Sequence, residues 1–324
     1  MQTRDGLVDA FLAQTPWADW ARTPLAGDAS SRRYIRLTSG DAAVIIMDAP
    51  PAANATTTSQ FADIAHYLAN AGLCPPEIHA HDPKTGIMVI SDLGPHDFAG
   101  WLNSRPQDAA LLYRAATDVI LHLQSCDPPA ALAQMTPDIG ATMIQVTCDY
   151  YARCQGDDLR QAVNETMQEL APVADTVALR DYHAENLIWR PQHSSLARVG
   201  LLDFQDAFVA PKGYDLMSLL RDVRRDVEPA LTEMVIDDYL TRSGLPMSFR
   251  AQLACLGAQR NLRILGVFAY LAKAKNKPRY LDLMDRVWRN LQADLAHPAL
   301  EALRHAVDNT LPVPTTAHLQ SLRP

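Results

Sequence analysis

The sequence predicts an α+β protein, with a small β-rich part over residues 1–94 and a large, mainly helical part over residues 95–324. In the first part, polar and apolar residues alternate over 33–38 and an apolar run follows at 42–47, a pattern typical of a strand hairpin. In the second part, apolar residues recur at helical spacing over long segments. The pattern breaks at Ser91-Asp-Leu-Gly-Pro95, where we place the boundary between the two parts.

Each element of the β-rich part has a local signal. Leu7, Val8 and Leu12 lie on one face of a predicted helix. The residues Ser39-Gly40-Asp41 favour a turn between the two hairpin strands. Gly72 ends the next predicted helix. In chain order, the sequence predicts a helix over 5–14, strands over 33–38 and 42–47, a helix over 58–71 and a strand over 87–90.

The helical part is interrupted between residues 176 and 208 by a pair of short apolar strands, predicted over 187–189 and 199–202. The second strand runs directly into Asp203. Because carboxylates at the edge of a small strand pair are well placed for chemistry, we expect the functional site here. The surrounding helices are predicted over 109–124, 141–154, 158–170, 214–225, 229–242, 249–275 and 279–295.

Composition and charge exclude several classes of protein. The 324-residue chain has a formal net charge of −8, so it lacks the basic surface that nucleic-acid binding requires. No apolar run approaches the ~18 residues of a membrane span, and the N-terminus lacks a signal-peptide pattern. The five cysteines are odd in number and form no CxxC pair, so we expect free thiols and a cytoplasmic location.

The motif census excludes several common sites. The 14 glycines are never two or five residues apart, which eliminates the dinucleotide fingerprint and the Walker-A loop. The sequence contains neither H-E-x-x-H nor G-x-S-x-G. His79-Ala-His81 is interpreted as a solvated loop beside Pro83, because no other Cys or His cluster completes a metal site.

One constellation remains: Asp181, Asn186 five residues later, and Asp203 at the end of an apolar strand. Phosphoryl transfer needs a carboxylate near the attacking hydroxyl and hard oxygen ligands for magnesium. Asp181 fits the first task, and Asn186 and Asp203 fit the second. Asp and Asn in loops also cap turns, so the spacing alone leaves that alternative open. Arg180 before the loop and the apolar strand after it favour phosphotransfer.

Eight segments together resemble the aminoglycoside phosphotransferase / choline kinase superfamily, and more closely the bacterial anomeric N-acetylmuramate/N-acetylglucosamine kinases. The segments are Gly27–Tyr34, Met47–Pro51, Asp92–Gly94, Arg180–His183, Asp203–Ala207, Tyr214–Leu216, Leu219–Asp222 and Gln259–Phe268. The resemblance implies a protein-kinase-like, two-lobed fold whose small N-lobe is residues 1–94 and whose helical C-lobe is residues 95–324. It also implies ATP (or GTP), Mg²⁺, and phosphorylation of a small-molecule hydroxyl, foremost the anomeric hydroxyl of an amino sugar in cell-wall recycling.

The same resemblance implies roles for individual residues. Asp181 is the catalytic carboxylate, Arg180 steadies the catalytic loop, and Asn186 and Asp203 are the magnesium ligands. Nucleotide contacts are expected from Gly27, Ser30, Ser31, Arg32 and Arg33 in the loop over the phosphates, and from Ser91, Asp92 and Leu93 in the hinge. Substrate contacts are expected from His183, Glu185, Gln205, Asp206, Gln259 and Arg263, the last two being four residues apart on one helix face.

The lysine distribution departs from the superfamily pattern. The first of only five lysines is Lys84, so Met47 and Asp48 stand where most members carry a lysine that pairs with the nucleotide phosphates. Arginine can grip phosphate with two parallel hydrogen bonds, so Arg32, Arg33 and Arg36 are candidate substitutes. Two alternatives stay open: a kinase of the same fold for an aminoglycoside, choline or another small molecule, and a catalytically inactive nucleotide-binding protein.

Overall fold

The structure is a computed structural model that describes residues 3–25, 32–51 and 57–323. Gly27, Ser30 and Ser31, which the sequence assigns to nucleotide binding, lie outside the described residues. The chain divides into two compact units. The first unit is Met1–Ser104 with Glu185–Asp206, and the second is Arg105–Ala184 with Ala207–Pro324. By its contacts the segment 185–206 therefore belongs to the first unit, although it follows the sequence boundary that we placed at residues 91–95.

The first unit contains a five-stranded antiparallel sheet with the strand order β1-β2-β3-β5-β4. Two helices precede and interrupt it, and a third follows it. The elements are α1 (Arg4–Leu12), β1 (Ala21–Leu25), β2 (Arg33–Ser39), β3 (Ala42–Asp48), α2 (Thr58–Asn70), β4 (Ile78–Asp82), β5 (Ile87–Ser91) and α3 (Phe98–Ser104).

The sheet forms where the alternation predicts it. Leu37 on β2 pairs with Val44 on β3, and both side chains are buried in a cluster that also contains Val8 and Leu12 of α1. Thr57 begins α2 with a capping box, in which its side chain and that of Gln60 bond each other's backbone. Apolar burial between α1 and the sheet is therefore the main stabilising term of this core.

A second, two-stranded sheet in the first unit pairs β7 (Leu187–Trp189) with β8 (Val199–Leu201) in antiparallel fashion. The ring of Trp189 contacts that of Phe98 on α3 edge-to-face at 5.8 Å between centroids. The backbone N–H of Leu201 donates to the Cys74 carbonyl at 2.9 Å. These contacts fix the ends of the strand pair, where Asn186 and Asp203 lie.

The second unit is mainly helical around an extensive apolar core, with a short antiparallel pair formed by β6 (Thr176–Ala178) and β9 (Phe208–Ala210). Its longest helix, α9, packs against α10 and against a π-helix over Thr147–Ala152. Its helices are α4 (Ala109–Leu123), α5 (Pro137–Thr142), α6 (Asp157–Leu170), α7 (Tyr214–Leu220), α8 (Pro229–Ser243), α9 (Phe249–Ala274), α10 (Met284–Leu295), α11 (Glu301–Thr310) and α12 (Thr316–Ser321).

The structure corrects several sequence predictions. The segment His79-Ala-His81 is not a loop but part of strand β4, and His81 Nε2 lies 2.8 Å from Thr58 Oγ1. Strand β1 was not predicted, because it is an exposed edge strand that contains Pro24 and lacks alternation. The helix predicted over 141–154 is instead the end of α5 followed by the π-helix, and α7 ends at Leu220 rather than at 225.

Among the described helices, none combines the length and the apolar character that crossing a membrane would require.

Candidate active site

The loop that carries Asp181 lies in the second unit and is held by buried carboxylates. It follows β6, and the backbone N–H groups of Leu179 and Arg180 donate to Asp215 Oδ2 at 2.6 Å and Oδ1 at 3.0 Å. Further along the loop, the N–H of Ala184 donates to Asp222 Oδ2 at 3.3 Å. Asp215 lies on the first turn of α7, so this helix sets the conformation of the loop.

Arg180 adopts the left-handed backbone region, with φ of 74°, which few residues other than glycine occupy without support. Its carbonyl accepts a hydrogen bond from Ser218 Oγ at 3.2 Å, and its guanidinium lies 5.9 Å from the centroid of the Phe208 ring. Ser218 thus holds the backbone of Arg180, and the guanidinium of Arg180 lies near the Phe208 ring, both contacts within the second unit.

Burial and neighbouring charges perturb the groups around Asp181. Burial raises the pKa of Asp215 to about 7, although two backbone N–H donors and Arg260 oppose that rise. Burial and the positive charge of Arg180 lower the pKa of Arg263, whereas Tyr214 and Asp181 act in the opposite direction. Asp181 therefore lies near three arginines, Arg180, Arg260 and Arg263, of which Arg260 is buried.

Arg260 and Arg263 lie one turn apart on α9 and belong to this surrounding cluster. Arg260 is only 6% exposed, and its Nη1 is buried without a hydrogen-bond partner among the described residues. An arginine in that condition leaves donor capacity for an incoming acceptor.

His183 is buried, and its Nε2 lies 3.0 Å from Arg224 Nη1. Since Arg224 can only donate, the imidazole nitrogen accepts, which requires neutral histidine at that nitrogen. Burial and the charges of Arg224 and Arg260 lower the pKa of His183 well below its usual range. Its geometry is that of a support for the loop.

Asn186 and Asp203 lie at one end of the β7–β8 pair in the first unit. The N–H of Leu202 donates to the Asn186 carbonyl at 2.9 Å, which brings the residues before β7 and after β8 side by side. Asp203 has φ of 55°, a left-handed conformation that turns the chain sharply after β8. Phe204 then stacks on Phe61 of α2 at 4.8 Å between centroids and anchors the turn.

The side chain of Asp203 is 45% exposed, and polar side chains of the first unit lie beside it. Gln205 Nε2 donates to Asp203 Oδ1 at 2.7 Å, and Arg32 Nη1 lies 3.9 Å from the same oxygen. Gln205 Oε1 is buried with no hydrogen-bond partner among the described residues. Carboxylate and amide oxygens, with an unused acceptor beside them, are a donor set that suits a hydrated magnesium ion.

The other two candidate phosphate-binding arginines are held by carboxylates. Arg33 donates through Nε and Nη2 to Asp48 Oδ2 at 2.9 and 2.7 Å, and Asp48 is fully buried. Arg36 Nε lies 2.7 Å from Asp92 Oδ2. Both arginines therefore form ion pairs within the first unit.

The predicted hinge residues lie at the end of β5, whose last residue is Ser91. The Ser91 hydroxyl accepts a hydrogen bond from the Glu77 N–H at 2.9 Å, and Asp92 Oδ1 accepts one from the Gly94 N–H at 2.9 Å. Leu93 is buried. The side chains of Ser91 and Asp92 thus shape the turn that leaves the sheet.

The remaining candidate substrate residues separate by exposure. Glu185 is exposed and Asp206 is partly exposed, both in the first unit. Gln259 in the second unit is fully buried, and its Nε2 donates to the Gly140 carbonyl at 2.9 Å. Gln259 thus connects α9 to α5, and its face of α9 packs against a neighbouring helix.

Two residues that support the loop had no role assigned from the sequence: Ser218 and Asp222. The available signal was weak, namely polar residues within otherwise apolar helical segments. Their function as loop supports depends on which backbone groups the fold brings to them.

The chain has a protein-kinase-like fold. The solved structure of a choline/ethanolamine kinase family protein from Mesorhizobium loti matches 94% of this chain and 99% of that chain, with a TM-score of 0.65 at 17% sequence identity. That likeness concerns the fold.

Sequence comparison identifies the family. The profile of the phosphotransferase enzyme family matches residues 21–250. The N-acetylmuramate/N-acetylglucosamine kinase of Caulobacter vibrioides is 35% identical, covering 96% of this chain and 98% of that protein. The protein of the same name from Pseudomonas aeruginosa is 31% identical, covering 84% and 83%. The chain belongs to the phosphotransferase enzyme family and is a small-molecule kinase.

Proposed function

We propose that this kinase transfers the γ-phosphoryl group of ATP to the anomeric hydroxyl of N-acetylmuramate and N-acetylglucosamine. The observation that carries the proposal is the 35% identity, over nearly the full length of both chains, to a kinase named for these two sugars. A role in recycling cell-wall sugars in the cytoplasm follows from that substrate. The five free thiols are in the state that a reducing compartment maintains.

In this proposal Asp181 accepts the proton of the sugar hydroxyl. The hydroxyl oxygen bonds to the γ-phosphorus of ATP as the bond between that phosphorus and the departing ADP oxygen breaks. Asp181 suits the task because Asp215 and Asp222 hold the backbone of its loop through both ends. A fixed carboxylate orients the nucleophile without having to reorganise during the reaction.

Asn186 and Asp203 would hold Mg²⁺ through side-chain oxygens, and Gln205 positions the Asp203 carboxylate. Magnesium supplies charge neutralisation for the phosphate oxygens when bound. The nucleotide contacts proposed from the sequence, at the loop over the phosphates and at Ser91, Asp92 and Leu93, complete this part of the proposal.

The substrate side of the proposal involves Arg263, Glu185 and Asp206. N-acetylmuramate carries a lactyl carboxylate. Arg263 lies near Asp181, Arg180 and Arg260, and among the described residues no ion pair joins it to a carboxylate. Glu185 and Asp206 can accept hydrogen bonds from sugar hydroxyls. Gln259 and His183 are left out, because both are buried in packing contacts.

A cationic substrate such as choline or an aminoglycoside fits this cluster less well. Binding a cation beside Arg180, Arg260 and Arg263 would add like charges in a poorly hydrated region, which is electrostatically costly. Cation pockets instead present carboxylates and aromatic faces.

A substrate panel tests the proposal. Purified enzyme with ATP and Mg²⁺ is offered N-acetylmuramate, N-acetylglucosamine, choline and kanamycin, and nucleotide consumption is measured. We expect turnover of the two sugars only, with phosphorus–proton coupling in the product placing phosphate on C1. Asp181→Asn should lower kcat about 10²- to 10⁴-fold, the range of general-base catalysis. Turnover of kanamycin or choline with neither sugar active would overturn the substrate assignment.

A variant separates the two sugars. Arg263→Gln should raise the KM for N-acetylmuramate about tenfold relative to that for N-acetylglucosamine, because only the former has a carboxylate for the guanidinium to bind. An equal effect on both sugars would remove Arg263 from lactyl recognition.

A further inference from the structure

The first unit lacks the strand lysine with which protein-kinase-like enzymes bind nucleotide phosphates. The corresponding strand is β3, where Met47 and Asp48 are both fully buried. Asp48 is an acid whose charge is already matched by Arg4 and Arg33. Any cation that replaces the lysine must therefore come from elsewhere.

The other basic residues of the first unit can be compared one by one, since none falls among its undescribed positions. Apart from Arg32, each of them has a partner or a position that does not involve the proposed magnesium ligands. Arg4 and Arg33 bond Asp48, Arg22 pairs with Asp9, Arg36 with Asp92, Arg190 with Cys74, Arg198 stacks on Trp189, and Lys84 lies in the turn between β4 and β5.

Arg32 differs from this group in where its charge is directed. Its side chain is 9% exposed, and its Nη1 lies 3.9 Å from Oδ1 of Asp203, the proposed magnesium ligand. The Tyr34 hydroxyl belongs to the same cluster. Burial and the negative charge of Asp203 raise the pKa of Tyr34, whereas the positive charge of Arg32 and a hydrogen bond with Arg32 lower it. Arg32 is thus a nearly buried cation directed at the metal-binding carboxylate.

We propose that Arg32 replaces the missing β3 lysine and binds the phosphates of the nucleotide. This inference rests on the proposed roles of Asp203 and ATP. Mg²⁺ binds both a protein carboxylate and the nucleotide phosphates, so the carboxylate lies next to those phosphates. A guanidinium beside that carboxylate is therefore within reach of the nucleotide phosphates. Arginine can donate two parallel hydrogen bonds to phosphate oxygens, so it supplies charge and orientation together.

The test compares Arg32→Gln and Arg32→Lys with Arg22→Gln, which alters an arginine of the same sheet at an exposed ion pair. Calorimetry measures binding of a non-hydrolysable ATP analogue with Mg²⁺, and of adenosine, to each full-length variant. Arg32→Gln should raise the Kd of the analogue about 10- to 100-fold, the effect of a lost charge-assisted hydrogen bond, without changing that of adenosine. Arg32→Lys should recover part of the affinity, and Arg22→Gln should match wild type.

Kinetics provide the second readout, in which Arg32→Gln should raise KM for ATP more than KM for sugar. Wild-type Kd and KM for nucleotide in Arg32→Gln would overturn the assignment. An equal loss for adenosine and the ATP analogue would do so as well, because it indicates a structural effect. If wild type binds the analogue and Arg32→Gln does not, while no sugar is phosphorylated, the Arg32 assignment holds and only the sugar assignment fails.

Discussion

Asp215 is the buried carboxylate on which the conformation of the Asp181 loop depends. It accepts two backbone N–H groups, and it has no arginine within ion-pair distance among the described residues. A buried carboxylate without a bonded cation is stabilised mainly by such N–H donors. Its titration should therefore be visible in the stability of the whole unit.

The direction of the pH dependence of stability follows from the pKa of Asp215, which burial raises from 3.8 to about 7. Between about pH 4 and pH 7 the native state holds this proton more often than the unfolded state, so the contribution of Asp215 to the free energy of unfolding falls as pH rises. Asp215→Asn cannot titrate. Its destabilisation relative to wild type should accordingly be largest near pH 5 and smaller near pH 8.

Urea unfolding of wild type and Asp215→Asn across this pH range measures the difference. Asp63→Asn, at an exposed carboxylate on α2, controls for the loss of one acidic group. A destabilisation that stays constant or increases with pH would contradict the raised pKa of Asp215.

At the scale of elements, α9 carries Arg260 and Arg263 and is positioned by its contact with the π-helix over Thr147–Ala152. Gly266 lies at that contact. A Cβ there would meet the Thr147 backbone nitrogen at 2.3 Å and the Val146 carbonyl carbon at 2.4 Å. Backbone atoms cannot rotate away as a side chain can, so the two helices would have to separate.

Gly266→Ala should therefore destabilise the protein by about 1–3 kcal/mol through overpacking. Helix propensity alone predicts the opposite sign, since alanine is favoured over glycine by about 1 kcal/mol in a helix interior. Thermal unfolding decides between these signs. Lys273→Ala, at an exposed position of the same helix, should stay within about 0.5 kcal/mol of wild type. A stabilised Gly266→Ala would show that the contact is looser than described.

At the scale of the whole molecule, the proposed metal site can be tested by ligand-induced stabilisation. A ligand present at 100 times its Kd stabilises the native state by about 2.7 kcal/mol. We expect ATP with Mg²⁺ to raise the Tm of wild type more than ATP with a chelator. In Asp203→Ala the magnesium-dependent part should disappear, because the proposed carboxylate ligand is gone.

The control for this comparison is ATP with a chelator, which should give wild type and Asp203→Ala similar shifts. Absence of a magnesium-dependent shift in wild type would count against the proposed metal site.

Local patterns were sufficient for the elements that carry their own signal. The hairpin strands β2 and β3 and the β7–β8 pair were predicted because alternation, turn residues and short apolar runs are local in the sequence. The edge strand β1 and the irregular segment over Thr147–Ala152 were not, because their conformations depend on neighbours that are distant in sequence. The roles assigned to Asp181, Asn186 and Asp203 stay predictions, which the proposed experiments test.

The sequence by itself determined the family, through the order and spacing of segments from Asp181 to Asp203 and beyond, since these patterns do not depend on packing. Only the tertiary structure separated the three candidate arginines by the carboxylates beside them, which is the basis of the proposal for Arg32. Arg32, Arg33 and Arg36 are near neighbours in sequence, yet Arg33 and Arg36 are held by Asp48 and Asp92 whereas Arg32 is directed at Asp203. The physical reason is that electrostatic partners are chosen by distance in space, and the fold alone sets those distances.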